Sequence, residues 1–231
     1  MSMASVYRAR LLRPMLGRAA MLLFFDIAPE AIAEHDDWHT HEHLPERLSI
    51  PGFVRGTRWV ALRAGQPRYF VVYEVAEVGV LTSAAYLERL NNPTPWTQKM
   101  MPHYRGMTRG FCAVAGHAGF GLGIAALVAR FKPAGDPSWL RELMPRLAAR
   151  PGLGGCYLFE SVATAPMTRE QSIRGADAGV DWVLRVTGYD EEAVATLERA
   201  DLKKSRLEAQ GAATAGFGLY RTDYTLYEVE A

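Results

Sequence analysis

The 231-residue sequence predicts an α+β protein built from two tandem β-α-β-β-α-β units, and three observations predict it. An apolar run at 21–27 and another at 124–131 each lead into a polar helical stretch closing on Pro-Gly, at Pro51-Gly52 and at Pro151-Gly152. A second proline stands six residues earlier in both copies, Pro45 and Pro145, and a Trp precedes it by seven residues at Trp38 and by six at Trp139. Each Pro-Gly is followed by two strand-like runs, a helical run and a last strand, in the same order.

The elements follow from local chemistry. The first helix can begin at Pro29, whose fixed φ and missing N–H suit a first turn, and Glu30 places favourable charge there. Pro45 removes a backbone donor and disfavours helical geometry at Leu44, so a break or kink is expected at that point. Pro51-Gly52 then turns the chain into a strand over 55–62. The next strand, 69–75, is rich in aromatic and β-branched residues on both faces, the pattern of a strand covered on two sides. A helix over 81–91 and a strand over 110–115 complete the unit. In the second unit the helix starts after Asp136-Pro137-Ser138. Strands at 155–162 and 181–187, a helix over 191–204 and a strand over 218–229 follow. The polar stretch 165–179 reads as a surface loop. The expected boundaries are an extension over 1–20, units over 21–115 and 124–231, and a small-residue linker over 116–123.

Composition narrows the function. With 49% hydrophobic and 22% charged residues the chain can bury a sizeable core. A formal charge of +1 argues against nucleic acid or an anionic membrane as partner. No apolar run approaches a membrane span, and Asp26 interrupts the run behind the N-terminal arginines, which argues against a signal peptide. Cys112 and Cys156 lack metal-type spacing and read as buried, reduced thiols of a cytoplasmic protein.

Four of the six histidines lie between His35 and His43. His39, Glu42 and His43 formally satisfy H-x-x-E-H, a zinc motif, but Pro45 follows at once and no third ligand is evident, so no metal or other cofactor is expected. His35, His39 and His43 share one helical stripe, and His41 points away. His43 is the sharper candidate. Aligning Pro45 with Pro145 puts Leu143 at its place, Leu147 at that of Arg47 and Arg146 at that of Glu46, so only one unit carries these polar groups. His43 is therefore expected to act as acid/base; a buried imidazole bonded to a carbonyl is the alternative. Trp38, His39, Arg47, Arg58, Tyr73, Trp96 and Arg105 are the binding candidates, with Arg58 free to pair with Glu74 or a bound anion. Tyr69 and Tyr73 share one strand face and Glu74 takes the other.

The arrangement Trp38, Glu42-His43, Leu44-Pro45-Glu46-Arg47, Pro51-Gly52-Phe53 resembles the first helix of the dimeric α/β-barrel superfamily, in particular EthD-like proteins. The resemblance covers residues 21–115. It implies ferredoxin-like units whose sheets pair within the chain as an intrachain dimeric α/β-barrel-type pair. It also implies a small-molecule-binding protein, a cofactor-independent oxygenase or isomerase acting on an apolar, aromatic or carbonyl compound. A non-catalytic binding or structural protein with incidental histidines is the other reading. A homodimer is expected, since C2 dimers are common.

Overall fold

The computed structural model describes residues 15–162 and 168–228. Residues 1–14 of the expected extension lie outside the described residues, and Ala19 and Ala20 already belong to the first strand. By its contacts the chain divides into two units. One holds Gly17–Ala113, Glu160–Asp181 and the chain from Tyr220, and the other holds Val114–Phe159 and Trp182–Leu219.

In the unit with the histidine cluster, β1 (Ala19–Ile27) runs antiparallel to both β3 (Tyr69–Val75) and β4 (Tyr104–Gly119). Strand β2 (Phe53–Ala61) pairs antiparallel with β3, giving the order β4-β1-β3-β2 of a ferredoxin-like unit. Register sets the faces. Met21 lies opposite Tyr73 and Leu23 opposite Val71, so these four side chains share the helix-covered face. Helices α1 (29–48), α2 (Ala84–Asn91) and α3 (Pro95–Met100) cover it, and Trp38, Leu44, Leu48 and Leu90 fill the layer between. Ala20, Leu22, Phe24, Phe70 and Val72 on the opposite face are buried as well, as expected for a strand covered on two sides. Beyond β2 the sheet gains residues of β9 (Ala212–Tyr227), with Arg58 opposite Tyr224.

The second unit repeats the order as β9-β5-β8-β6, built from β5 (Ala125–Pro133), β6 (Leu153–Val162) and β8 (Trp182–Gly188). Its core gathers Leu140, Leu143, Leu147, Leu158 and Leu184 under helix α4 (Ser138–Ala148). Cys112 and Cys156 are free and buried, and burial pushes the Cys112 thiol up to about 12, so it stays protonated.

Four local expectations are corrected. Pro45 does not break the first helix. A turn at Pro29–Ala31 opens it, and α-helix over Ile32–Trp38 passes into a π-turn over His39–His43 and back into α-helix over Leu44–Leu48. The N–H of Leu44 reaches the His39 carbonyl five residues back, and this widened turn lets the chain continue through a residue with no donor. The stretch expected as a loop over 165–179 contains helix α5 (Arg169–Arg174) and strand β7 (Ala178–Gly179), which adds to β4 in parallel; residues 163–167 lie outside the described residues. Helix 191–204 is two shorter helices, α6 (Glu191–Thr196) and α7 (Lys204–Ala209), and β4 continues through 116–119, the start of the expected linker.

Gly56 sets how closely α1 approaches the sheet. A Cβ there would collide with Leu44 Cδ2 and come within 3.2 Å of Leu48 Cδ2. Gly56→Val should therefore lift the helix and cost about 1–3 kcal/mol, read as a lower urea midpoint. An unchanged midpoint would mean that this spacing is not fixed by packing.

Candidate active site

The π-turn places the imidazoles. Four residues of α-helix overshoot one turn, and the wider turn offsets that drift, so His35, His39 and His43 remain on one face. Their rings form a column, 5.4 Å from His35 to His39 and 5.6 Å from His39 to His43. All three are buried. The exposed His41 turns away and donates from Nδ1 to the Asp37 carbonyl at 2.9 Å.

His39 and His43 of the column line a cavity of about 30 Å³, room for roughly two waters. His39, His43, Arg47, Tyr73, Tyr104 and Glu170 supply its polar wall, and Met21, Leu23, Met101 and Met107 much of its apolar wall. Arg47, almost fully buried, donates to Glu170 at 2.5 Å and to Glu46 at 3.2 Å, and its guanidinium lies 5.9 Å from the Tyr86 ring centre. Arg109 and Arg174 both pair with Asp177, at 3.1 and 2.8 Å. Glu170, Arg174 and Asp177 come from the segment expected to be a loop. The signal missed in the sequence was Thr168-x-x-Gln171, which forms a capping box at the start of α5.

Charges are tuned by burial and by neighbouring cations. Burial holds His43 well below the ordinary histidine range, and Arg47 and His39 press in the same direction. His39 is lowered well too, by burial and then by His35 and Arg58. Both imidazoles are therefore neutral at pH 7. Burial opposes the charge on Arg47, but Glu170 and Glu46 keep it protonated. Glu46 is raised, mainly by burial and with Glu170 adding to it, so its proton is held more tightly than usual. Burial also raises Tyr73 and Tyr104, which remain phenols.

Of the residues expected from sequence, His39, His43, Arg47 and Tyr73 meet at the cavity. Trp38 backs His43 at 4.4 Å between rings and donates its indole N–H to Glu42 at 3.0 Å. Thr94 and Thr97 donate to the same Glu42 oxygen, so Glu42 ties α1 to α3 and is not placed as the base of a zinc motif. Arg58 stands one step behind the cavity. It donates to Asp223 at 2.6 Å and meets His39 Nδ1 at 3.3 Å. The expected Arg58–Glu74 pairing is corrected: Glu74 lies on the opposite sheet face, where the register places Arg55 against it as its partner. Trp96 donates to Glu34 and Arg105 to the Pro102 and Tyr104 carbonyls, both outside the cavity wall. Tyr104, Arg109 and the acids of α5 were not read as site residues.

Donor atoms of His43, Glu46 and Glu170 lie within 4.8 Å of one another. Arg47 already answers both carboxylates, so the set fits an ion-pair cluster better than a metal shell. His43, which lines the cavity, has its Nδ1 buried with no hydrogen-bond partner among the described residues, a state shared by the Trp59 indole nitrogen, whose residue is not part of the cavity wall. In the second unit Leu143 and Leu147 are simply part of the apolar core.

No family model matches the chain, and no curated protein sequence matches it. Solved structures do. An anthrone oxidase-like protein superposes with a TM-score of 0.65 at 13% identity, covering 93% of this chain and 95% of that one. A candidate monooxygenase from Fusobacterium nucleatum gives 0.56 at 11% identity, over 93% and 96%. A chlorite dismutase variant from Candidatus Nitrospira defluvii gives 0.53 at 14%, over 94% and 95%. At these identities the likeness establishes the fold alone, the ferredoxin-like α+β arrangement described above.

Proposed function

We propose that the unit with the histidine cluster binds a small apolar molecule, aromatic or carbonyl-bearing, and that His43 takes a proton from it. The observation that carries this reading is the buried, unpartnered Nδ1 of His43. An unsatisfied buried polar atom costs about 1–3 kcal/mol, and a ligand O–H or an acidic C–H would meet it. The neutral imidazole has a lone pair to offer, as a base requires. The surroundings favour the anion that results. Arg47, Arg109 and Arg174 all reach the cavity wall and set positive charge and N–H donors there, beside Glu46, Glu170 and Asp177. An enolate or phenolate formed there would be stabilised by them.

Such an electron-rich anion can react with dioxygen, or be protonated again at another atom, without a bound cofactor. Oxygenase and isomerase chemistry therefore start from the same step. The likeness to an anthrone oxidase-like protein supports the oxygenase branch. The cavity is too small as it stands for a ring system, so Met21, Met101 and Met107, flexible and unbranched, have to swing aside on binding. We further propose a cytoplasmic homodimer; a monomer mass in solution scattering would count against the dimer.

Anthrone is the first probe, with oxygen uptake as the readout. His43→Gln keeps the approximate volume and removes the base, and turnover should fall by about 10²- to 10⁴-fold. If anthrone or a related ketone turns over equally well in wild type and His43→Gln, the base is elsewhere. Binding without turnover in wild type would instead favour the non-catalytic reading.

A further inference from the structure

Tyr73 and Tyr104 both line the cavity, and each continues into a histidine. The two branches end differently. Tyr73 Oη lies 3.3 Å from His39 Nε2, and His39 Nδ1 lies 3.3 Å from Arg58 Nη1. A guanidinium only donates and does not lose its proton, so this branch stops at Arg58. Tyr104 Oη lies 3.5 Å from His35 Nε2, and His35 Nδ1 lies 3.1 Å from Asp36 Oδ1. A carboxylate only accepts, so His35 carries its proton on Nδ1 and turns a lone pair toward the Tyr104 hydroxyl. The His35 side chain is fully buried, whereas that of Asp36 is 34% exposed. Tyr69 donates to the same Asp36 oxygen at 2.7 Å and fixes the carboxylate.

We propose that Tyr104, His35 and Asp36 form a proton relay between the cavity and solvent. The inference rests on His43 as the base that takes the substrate proton. An imidazolium at His43 would lie buried beside Arg47, and a water in the cavity that His43 and Tyr104 both line would carry its proton to Tyr104 Oη. As Tyr104 Oη takes a proton from the cavity, its own hydroxyl proton passes to His35 Nε2. The Nδ1 proton of His35 passes to Asp36 Oδ1, and Asp36 releases it to water. One proton enters and one leaves, with no bond but O–H and N–H made or broken. The reverse transfer brings a solvent proton in through Asp36 and His35 to Tyr104, whose own proton goes to the reacted anion in the cavity, and it restores the starting tautomer. The groups that face His35 are Asp36, Tyr69, Tyr104, Phe25, Trp38 and His39, with Arg58 and Arg68 acting on it by charge.

Nitrogen NMR of the full chain with labelled histidine tests the hydrogen-bonded path. His35 should carry its proton on Nδ1, and Tyr104→Phe should shift its Nε2 resonance. A proton on Nε2, or a resonance indifferent to Tyr104→Phe, overturns the relay. The second readout is anaerobic exchange of the anthrone methylene hydrogens with heavy water. Asp36→Asn, at the exposed end, should slow exchange at least about tenfold and alter its pH profile while anthrone affinity holds. Exchange at the wild-type rate and with the wild-type profile in Asp36→Asn overturns the relay as well. If wild type does not exchange anthrone, the assignment of His43 as base fails for this probe, and the tautomer of His35 and its response to Tyr104→Phe still decide the path.

Discussion

Each pH unit below about 6.5 should cost the folded protein up to about 4 kcal/mol of stability. His35, His39 and His43 are all held below their ordinary value of 6.5, in each case chiefly by burial. In the unfolded chain the same histidines protonate near 6.5. Below that pH the unfolded state binds up to three protons that the native state does not, and stability falls until the native histidines also protonate. Above it the terms are equal and stability is flat with respect to these groups. The cations Arg47, Arg58 and Arg174 deepen the effect, and Asp36 opposes it at His35. Total stability of a domain is about 5–15 kcal/mol, so unfolding is expected within one to a few units. Urea midpoints across a pH series give the slope directly. A flat profile from pH 7 to 5 would show that these imidazoles are not buried in neutral form.

Glu170→Ala should destabilise the protein by about 3–5 kcal/mol, because it strips the closest partner from a buried guanidinium. Arg47 is 1% exposed and would be left with Glu46, whose carboxyl is itself biased toward the neutral form. The same change removes the main bond between α5 and α1, so the cavity wall should loosen as well. Replacing both partners, Arg47→Met with Glu170→Leu, should recover much of the loss, since apolar residues of similar size substitute well for a buried pair. Thermal unfolding of the three proteins measures this. If Glu170→Ala melts with wild type, the pair is not closed in solution.

Pattern and punctuation made the fold legible. The Pro-Gly turns, the apolar runs and their order fixed two β-α-β-β-α-β units, because these signals are local. The site was legible where helix periodicity governed it: His39, His43 and Arg47 lie on the stripe that the spacing defines, and Tyr73 on the strand face that alternation defines. It was illegible where distant segments meet. Arg47 and Glu170 are 123 positions apart, and Asp177 reaches Arg109 from the same strap. Nothing at either end specifies the other. The partner of Arg58 was misread for a related reason: which faces match across two strands depends on register, which sets Arg58 opposite Val71 and Arg55 beside Glu74.

The π-turn also bears on how the two halves diverged. Trp38 precedes Pro45 by seven residues, and Trp139 precedes Pro145 by six. The longer spacing coincides with the π-turn, and the shorter with an uninterrupted α-helix that carries Pro145 inside it. One extra residue is what a π-turn adds to an α-helix. If the halves descend from a duplicated ancestor, a single inserted codon in one copy is enough to explain the difference. That insertion rotates everything before it by part of a turn relative to Pro45, bringing His35 and His39 into line with His43. The sibling copy, without it, stayed a packing element. Deleting Thr40 re-creates the shorter spacing and would return the helix to the register its counterpart still has.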